Sequence, residues 1–460
     1  MNPAIFREYD IRGVAERDFD VPFARALGRA YAAYVGDVGE APRRGSRRRI
    51  GVGRDCRLTS GAYAAALRDG LTGAGLDVMD LGVCPTPLAY FSVFDRDLDG
   101  CIQVTGSHNP ADQNGFKICV GRASLHGEQI QLLRRSMENG AGSRGQTGTV
   151  EAFDVVARYL AFLAERFANV ARPIRLAVDA GNAVAGPIAP QVFRAMGCAV
   201  DELYCDLDGR FPNHHPDPTV DANLADLIAL VRSSGAEVGI GFDGDADRIG
   251  VVDRSGRIVR GDELMILFAR EVLRESPGAT IVSEVKCSQR LYDDIAARGG
   301  NGIMWKVGHS PIKAKMRESG AALGGEMSGH IFFADRYFGY DDAIYAACRL
   351  LEILSRSGKR VDELLADVPP SYGTPEIRID CPDGIKFAVV DEARRHFEGT
   401  HDIIAIDGVR VRLPHGWGLI RASNTQPALV LRLEADSAAA LEEYRASFEK
   451  LVGEIRSRLE

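Results

Sequence analysis

Three alternating aspartates form the strongest chemical signal in the sequence. Asp243, Asp245 and Asp247 are separated by single small residues in "GFDGDADRIG". Hard divalent cations take several oxygen ligands, and a tight loop can turn three carboxylates inward where a regular helix could not. Without a cation, these carboxylates would repel one another and raise their pKa values. The run therefore favours a Mg²⁺-type site over an exposed acidic turn, and it lacks the closing Glu of a calcium loop because it passes directly into "IGVV".

A hydroxyl and an imidazole lie side by side in "IQVTGSHNP", where an apolar run ends at Ser107 and His108. This pair is consistent with a nucleophile and its helper, with a metal site, or with an ordinary turn. A serine near a bound cation is well suited to carry a phosphoryl group, and Lys117 in "NGFK" adds positive charge. A serine hydrolase would require G-x-S-x-G, and the second glycine is missing. For His108 alone, a turn histidine bonded to the backbone remains an open alternative.

Two stretches further along the chain carry groups that suit a sugar. Glu326 and Ser328 in "GGEMSGH" are two residues apart and could bind vicinal hydroxyls. His330 in the same stretch and His309 in "KVGHS" are candidate proton shuttles or phosphate partners. Zinc is disfavoured because the sequence contains neither H-E-x-x-H nor a close pair of metal-spaced histidines in these stretches.

A fourth polar stretch, "RASNTQP", is a candidate anion cradle. Arg421 can grip a phosphate with two parallel hydrogen bonds. The neighbouring hydroxyl and amide groups belong to Ser423, Asn424 and Thr425. The same composition also describes any polar turn, so this stretch alone decides little.

The elements around these stretches repeat. From Arg49 short β-rich runs alternate with longer helical patterns. The same alternation of strands and helices starts again at "IRLAVDAGN" and at "GDELMILFAREVLRE". From Pro369 closely spaced strands are followed by one amphipathic helix that begins near Ser437. We predict three tandem α/β domains with mixed or parallel sheets and a C-terminal α+β domain. The predicted ranges are 1–148, 149–255, 256–368 and 369–460.

The polar stretches each follow an apolar strand. Open α/β sheets bind ligands in the crevice outside the carboxyl ends of their strands. One stretch falls in each predicted domain, so we expect all four to line one central cleft.

Composition excludes several classes of function. The chain has 460 residues, of which 45% are hydrophobic and 26% charged, and it is too long for a single core. No apolar run approaches membrane-spanning length, and the N-terminus lacks a signal peptide's pattern, so we expect a cytoplasmic protein without a membrane partner.

The net charge of −8 argues against nucleic acid as a partner, and we interpret the basic run at Arg43–Arg49 as a solvated loop. Nine cysteines without a C-x-x-C pair predict reduced thiols.

Taken in order, "TGSHNP", "DGDADR", "GEMSGH" and "RASNTQP" resemble the motifs of the α-D-phosphohexomutase superfamily, most closely those of its bacterial phosphomannomutase/phosphoglucomutase branch. The resemblance covers essentially the whole chain and begins with "REYDIRG" at Arg7–Gly13. It implies reversible transfer of a phosphoryl group between O1 and O6 of mannose or glucose phosphates, through a phosphoserine and a hexose 1,6-bisphosphate that also acts as an activator. It further implies Mg²⁺, sugar phosphates as the only partners, and a monomer.

The resemblance also implies roles for individual residues. Ser107 would carry the phosphoryl group and bind Mg²⁺ with Asp243, Asp245 and Asp247. The other implied catalytic residues are His108, Arg12, Lys117, Arg248 and His330. The implied substrate-binding residues are Tyr9, Lys286, His309, Glu326, Ser328, Arg421, Ser423, Asn424 and Thr425.

Two alternatives remain open at this point. Glucosamine-phosphate mutases resemble this chain but usually carry Gln where Met327 stands and Ala where Gly106 stands. A sugar-phosphate binding protein without catalysis would keep the fold, although the intact serine, aspartates and basic neighbours argue against it.

Overall fold

The computed structural model describes residues 2–38, 42–43, 47–140, 147–168, 172–423 and 426–460. These residues form four sheets with helices packed against them, which confirms three α/β domains followed by a C-terminal domain. No helix within the described ranges is long and apolar enough to cross a membrane.

The first sheet mixes parallel strands with an antiparallel edge. Its elements are β1 (Ile11–Val14), α1 (Val21–Val38), β2 (Arg49–Arg54), α2 (Ser60–Gly73), β3 (Asp77–Val83), α3 (Thr86–Asp95), β4 (Gly100–Val104), β5 (Gln113–Val120), β6 (Ala123–Ser124), α4 (Glu128–Glu138) and β7 (Val150–Ala152). The strand order is β1-β5-β4-β2-β3-β7, with β6 beside β5. Strand β7 therefore extends this sheet beyond residue 148, where the sequence predicted the first boundary.

The second and third sheets repeat the arrangement. The second contains β8 (Arg175–Asp179), β9 (Ala199–Leu203), β10 (Val238–Phe242), β11 (Ile249–Asp253) and β12 (Ile258–Val259), with helices α5 (Val155–Phe167), α6 (Ala189–Ala195) and α7 (Ala225–Ser234). The third contains β13 (Thr280–Glu284), β14 (Asn301–Trp305), β15 (Leu323–Gly325) and β16 (Ile331–Phe333), with helices α8 (Gly261–Glu275), α9 (Gln289–Ala297), α10 (His309–Ser319), α11 (Ala343–Ser357) and α12 (Val361–Leu364). Their strand orders are β12-β11-β10-β8-β9 and β14-β13-β15-β16.

The C-terminal sheet is antiparallel. It contains β17 (Tyr372–Gly373), β18 (Ile377–Asp380), β19 (Ile403–Ile404), β20 (Val409–Leu413), β21 (Gly416–Ala422) and β22 (Ala428–Ala435), with helices α13 (Lys386–Phe397) and α14 (Ala438–Leu459). The prediction of a single helix in this region was wrong. Helix α13 buries Val389, Ala393 and Phe397 at helical spacing, so the apolar pattern that forms it is present in the sequence.

Each of the four polar stretches is the loop of a β-hairpin. The loops join the antiparallel neighbours β4 and β5, β10 and β11, β15 and β16, and β21 and β22. In the first three sheets the hairpin begins on a strand that also pairs in parallel with another neighbour. In the three α/β domains these polar residues therefore lie where the sheet changes from parallel to antiparallel pairing, whereas the fourth hairpin lies in an antiparallel sheet.

Local capping fixes where several helices begin. The Asp154 carboxylate accepts from the backbone N–H of Ala157 at the start of α5, and the Asp342 carboxylate accepts from that of Tyr345 at the start of α11. The hydroxyl of Ser437 does the same for α14. These contacts satisfy N–H groups that have no partner inside the helix.

The buried apolar side chains form more than one cluster, and these clusters differ in which domains they join. One continuous cluster of buried side chains runs from Met79 in the first domain, through the second, to Leu365 in the third. The C-terminal domain has a separate cluster, which includes Val389, Leu431 and Phe448. Another cluster, which includes Leu27 and Phe116, lies within the first domain, and Val285 packs with Trp417 and Leu419 between the third and fourth domains. The first three domains are thus joined by a shared cluster, whereas the fourth has its own cluster and a smaller apolar contact with the third.

Arg410 of β20 anchors the C-terminal domain to the third domain. Its Nη1 donates to the carbonyl oxygens of Val285 at 2.6 Å and Cys287 at 2.8 Å, and its guanidinium lies 3.6 Å from the centre of the Trp417 ring. Burial lowers the pKa of Arg410 to about 10. The two carbonyls would lose their partner if this side chain were removed.

We predict that Arg410→Leu lowers the unfolding temperature by about 1–3 °C, because a buried group left without its hydrogen bond costs about 1–3 kcal/mol and a chain of this length unfolds with an entropy of about 1 kcal/mol/K. Differential scanning calorimetry measures the shift. Arg412→Leu is the matched control, because Arg412 lies two residues away on the same strand and is exposed. Equal shifts in the two variants would contradict the anchoring role.

Candidate active site

Ser107 is held in an uncommon backbone conformation at the floor of the site. Its φ is 51°, a left-handed value that side chains other than glycine rarely adopt. The hydroxyl Oγ lies 3.0 Å from Asp243 Oδ2 and 3.0 Å from His108 Nδ1. The strained turn aims the hydroxyl at the aspartate loop and the imidazole at the hydroxyl.

A buried ion pair, Asp55 with Arg57, holds the serine loop in place. The guanidinium of Arg57 donates to four backbone carbonyls of the loop, those of Ser107, Asn109, Pro110 and Gln113. The Asp55 carboxylate accepts from the Thr105 hydroxyl at 2.8 Å. Fixing the backbone on both sides of Ser107 supplies the contacts that a strained conformation needs to persist.

The three aspartates are fully buried and converge. Asp243, Asp245 and Asp247 each offer a carboxylate oxygen within 4.8 Å of the others. Asp245 Oδ1 and Asp247 Oδ1 are buried and have no hydrogen-bond partner. Lys117 Nζ lies 2.6 Å from Asp245 Oδ2 and also contacts Asp247. Buried carboxylate oxygens without partners fit a hard divalent cation, so the triad can hold a metal ion.

The close approach of these buried charged groups shifts their pKa values. Burial raises the pKa of Asp243, and the carboxylates of Asp247 and Asp245 raise it further. Burial disfavours the charged form of Lys117, but Asp245 and Asp247 outweigh this effect and raise its pKa. A bound cation would relieve the repulsion among the carboxylates.

Backbone contacts from the first and third domains fix the aspartate loop of the second. The backbone N–H of Thr86 donates to the Asp245 carbonyl at 3.0 Å, and that of Ala343 donates to the Ala246 carbonyl at 3.2 Å. The Thr86 hydroxyl also donates to Asp245 Oδ2 at 2.5 Å. A side chain at Gly244 would overlap the Ser107 carbonyl, so only glycine allows the two loops to approach this closely.

The third-domain loop joins the same network. Arg248 Nε donates to His330 Nε2 at 2.9 Å, and the two residues form an isolated antiparallel β-bridge. On the other side of the ring, His330 Nδ1 lies 3.0 Å from Asp341 Oδ2, whose second oxygen lies 3.1 Å from Lys313 Nζ. Glu326 Oε1 accepts from the backbone N–H of Gly308 at 2.6 Å.

Two histidines near the cleft have pKa values below the ordinary value for histidine. Burial lowers the pKa of His108, and the nearby cations Arg248 and Arg12 lower it further. Burial and the ammonium of Lys313 likewise lower the pKa of His309. A neutral imidazole can accept a proton, which an imidazolium cannot.

The cleft between the domains has a volume of about 1,540 Å³. Nine of the residues singled out in the sequence line it: Tyr9, Arg12, His108, Arg248, Lys286, His309, Glu326, Ser328 and His330. Ser107, Lys117 and the aspartate triad are buried beneath these residues. The C-terminal domain also lines the cleft, through residues that include Glu376, Gln426 and Arg432, so all four domains contribute to it.

The fourth-domain residues are placed differently. Arg421 and Ser423 are buried, and Arg421 Nη2 lies 3.2 Å from Asp407 Oδ2. Within the described part of the chain, neither residue lines the cleft. Asn424 and Thr425 lie outside the described residues. Lys286, which does line the cleft, is paired with Glu376 of the C-terminal domain at 2.6 Å.

Comparison with known proteins places the chain in a family. The models for the phosphoglucomutase/phosphomannomutase alpha/beta/alpha domains I, II and III match residues 3–143, 157–256 and 260–372, and the model for the C-terminal domain matches residues 376–451. The chain belongs to the phosphoglucomutase/phosphomannomutase family.

Individual members of this family are similar over nearly their full length. The phosphomannomutase/phosphoglucomutase of Pseudomonas aeruginosa is 45% identical over 457 residues, covering 99% of this chain and 97% of that protein. A phosphoglucomutase of Neisseria meningitidis serogroup A is 43% identical over 97% of this chain and 96% of its own. The crystal structure of a phosphoglucomutase/phosphomannomutase family protein from Burkholderia thailandensis has a TM-score of 0.91 at 42% identity, over 99% of this chain and 98% of that one.

Sequence reasoning missed several residues of this site. Asp55 and Arg57 follow β2 in "GRDCR", and Asp341 lies in "GYDDA". The first stretch carried a usable signal, because β2 is parallel to β4 and its polar end must lie beside the serine loop. Asp341 had no comparable signal, since its role depends on how His330 and Lys313 meet across the third domain.

We predict that Arg57→Gln accelerates hydrogen exchange of the backbone amides between residues 106 and 113, because the carbonyls that hold the loop lose their common donor. Exchange measured by mass spectrometry tests this. Arg54→Gln, a partly buried arginine at the end of β2, is the control. Unchanged exchange in Arg57→Gln would show that the loop is held by other contacts.

Proposed function

We propose that the chain interconverts the 1- and 6-phosphates of mannose and glucose, with Ser107 as the phosphoryl carrier. The observation that supports this most strongly is the placement of the Ser107 hydroxyl 3.0 Å from Asp243, beside three converging carboxylates and beneath a cleft lined with cations. The names of relatives 43–45% identical over nearly the whole chain agree with a phosphohexomutase.

In the proposed reaction, phosphoserine 107 transfers its phosphoryl group to the free hydroxyl of a hexose monophosphate. The Ser107 Oγ–P bond breaks as the new sugar O–P bond forms, which yields a hexose 1,6-bisphosphate. The bisphosphate turns in the cleft and returns its other phosphate to the serine. His108, neutral and 3.0 Å from the Ser107 hydroxyl, is placed to exchange the proton that this hydroxyl gains and loses.

The proposed metal is Mg²⁺, held by Asp243, Asp245 and Asp247 together with the Ser107 group. When bound, Mg²⁺ neutralises charge on the transferring phosphoryl group. Lys117 and Arg248 supply further positive charge at the same point, because the ammonium contacts two of the carboxylates and the guanidinium lines the cleft above them.

Glu326 and Ser328 are proposed to bind the hydroxyls O3 and O4 of the sugar. Mannose and glucose share these groups and differ only at C2, which supports activity on both sugars. The distal phosphate is assigned to Arg421, Ser423, Asn424 and Thr425. Because Arg421 is paired with Asp407 and Lys286 with Glu376, phosphate oxygens must replace these carboxylates when substrate binds.

The C-terminal domain is proposed to rotate so that the distal-phosphate residues reach the cleft. Its separate core and the Pro369–Pro370 linker support a hinge at this point. Rotation would also provide the room in which the bisphosphate turns. Added hexose 1,6-bisphosphate would rephosphorylate Ser107 in enzyme that has lost its phosphoryl group.

We predict that Ser107→Ala reduces mutase turnover by at least about a thousandfold while circular dichroism remains unchanged, because the phosphoryl acceptor is lost. Turnover is assayed with the 1-phosphates of mannose, glucose and glucosamine. Ser92→Ala is the control, since Ser92 is a buried serine in α3 that bonds only locally to the Ala89 carbonyl.

Two outcomes would contradict the proposal. A phosphoryl group mapped by mass spectrometry to a residue other than Ser107 would remove the assigned carrier. Wild-type turnover that is faster on glucosamine 1-phosphate than on both hexose 1-phosphates would favour the glucosamine-phosphate alternative.

We predict that Asp245→Asn weakens Mg²⁺ binding at least about tenfold, because one anionic oxygen ligand becomes a neutral amide. Calorimetric titration of the metal-free protein with MgCl₂ measures the affinity. Asp69→Asn on α2 is the control, since Asp69 is exposed and pairs with Arg25. Equal affinities of wild type and Asp245→Asn would place the cation elsewhere.

A further inference from the structure

A second cavity of about 490 Å³ lies between the first and third domains, outside the central cleft. Helix α3 and strand β5 form one side, and the end of α10 with the segment after β16 forms the other. Its walls are aromatic, with Tyr90 and Phe94 on the first side and Phe338 and Tyr340 on the second. The volume falls within the range of roughly 300–1,000 Å³ that small-molecule sites occupy.

The charged side chains among the described residues that line this cavity are all basic. Among the described residues that line it, none is acidic, whereas Arg122, Lys313 and Arg317 are basic. Lys313 is already neutralised by Asp341 at 3.1 Å. The guanidinium of Arg122 lies 4.7 Å from the centre of the Phe94 ring, and Arg317 Nη1 donates to the Arg122 carbonyl at 3.4 Å. Neither arginine forms an ion pair with a carboxylate in the described part of the chain.

The two arginines therefore present uncompensated positive charge at the edge of an aromatic cavity. Both arginines are exposed to solvent, and partial desolvation lowers the pKa of Arg317. An anion at this point would pair with the two arginines. Because Phe94 stacks on Phe338 with ring centroids 4.7 Å apart, a flat ring attached to the anion would pack against the aromatic side chains that line the cavity rather than between them.

A cysteine thiol in the same cavity provides a reporter. Cys119 Sγ lies 3.5 Å from the Ser124 hydroxyl, and both residues line the cavity. A hydrogen bond from Cys101, its partner across the strands, lowers the pKa of Cys119 to about 7. Burial instead raises the pKa of Cys56 and of Cys205 to about 12. Cys119 is 4% exposed, and it differs from these two partly exposed thiols in its lower pKa and in its place in the cavity.

We propose that this cavity is a binding site for a small planar aromatic anion, with the ring packed against the aromatic side chains that line it and the anionic group facing Arg122 and Arg317. This site is separate from the central cleft, and the proposal does not depend on which sugar phosphate the enzyme uses.

The test is calorimetric titration of the full-length protein with 2-naphthoate, using 2-naphthylmethanol as the uncharged control. We expect one 2-naphthoate per chain, bound at least about tenfold more tightly than the alcohol. The double substitution Arg122→Gln with Arg317→Gln should reduce 2-naphthoate affinity at least about tenfold and leave the affinity of the alcohol within about twofold. Ala322→Leu, which puts three further carbons into the cavity, should weaken both probes.

A second measurement locates the site independently. N-Ethylmaleimide alkylates a thiolate by addition of sulfur across its C=C bond, followed by protonation of the adjacent carbon from water. We expect 2-naphthoate to slow alkylation of Cys119, mapped by peptide mass spectrometry, without changing that of Cys56 or Cys205. Absence of 2-naphthoate binding, binding that is unchanged in the double arginine variant, or binding without protection of Cys119 would each overturn the proposal.

Discussion

The structure depends on the burial of three like charges at one point. Asp243, Asp245 and Asp247 lie at the junction of the α/β domains, where water cannot screen them. Each domain contributes to their compensation: Lys117 comes from the first, Arg248 from the second, and His330 with its partner Asp341 from the third. Buried charge of this kind is tolerated only when it is paired or bound to metal, so the domains cannot separate without exposing an unbalanced cluster.

Each of the three α/β domains uses a β-hairpin to place polar side chains at that point. A strand within the sheet turns back as an antiparallel neighbour, and the turn carries the polar residues. A short hairpin loop holds its side chains more rigidly than a long crossover connection would, because both of its ends are fixed by ladder hydrogen bonds. Close approach of the loops then requires residues without bulk, as at Gly244 against Ser107 and at Gly329 against Ile249.

Rigidity is distributed unevenly over the chain. The three α/β domains share a continuous apolar core, and the strained φ of Ser107 is held by Arg57 within that rigid part. The C-terminal domain has its own core and meets the third domain through Arg410 and through the Lys286–Glu376 ion pair. Preorganised groups thus lie on the α/β domains, and the residues proposed for the distal phosphate lie on the domain that we propose to rotate.

The sequence by itself determined the order of the four polar loops, the acidic triad, and three α/β units followed by a different fourth. These features are local, because spacing within a few residues and the period of apolar positions are enough to reveal them. The same information was available for α13, whose pattern was overlooked among short strands. Only the tertiary structure decided that Arg57 holds the Ser107 loop. It also decided that Lys117 neutralises Asp245 and Asp247. In the third domain it decided that Asp341 joins His330 to Lys313. Apart from the short link between His330 and Asp341, these contacts join residues 28 to 130 positions apart. They arise from how strands pair within a sheet and how separate elements pack, which the local spacing of residues does not encode.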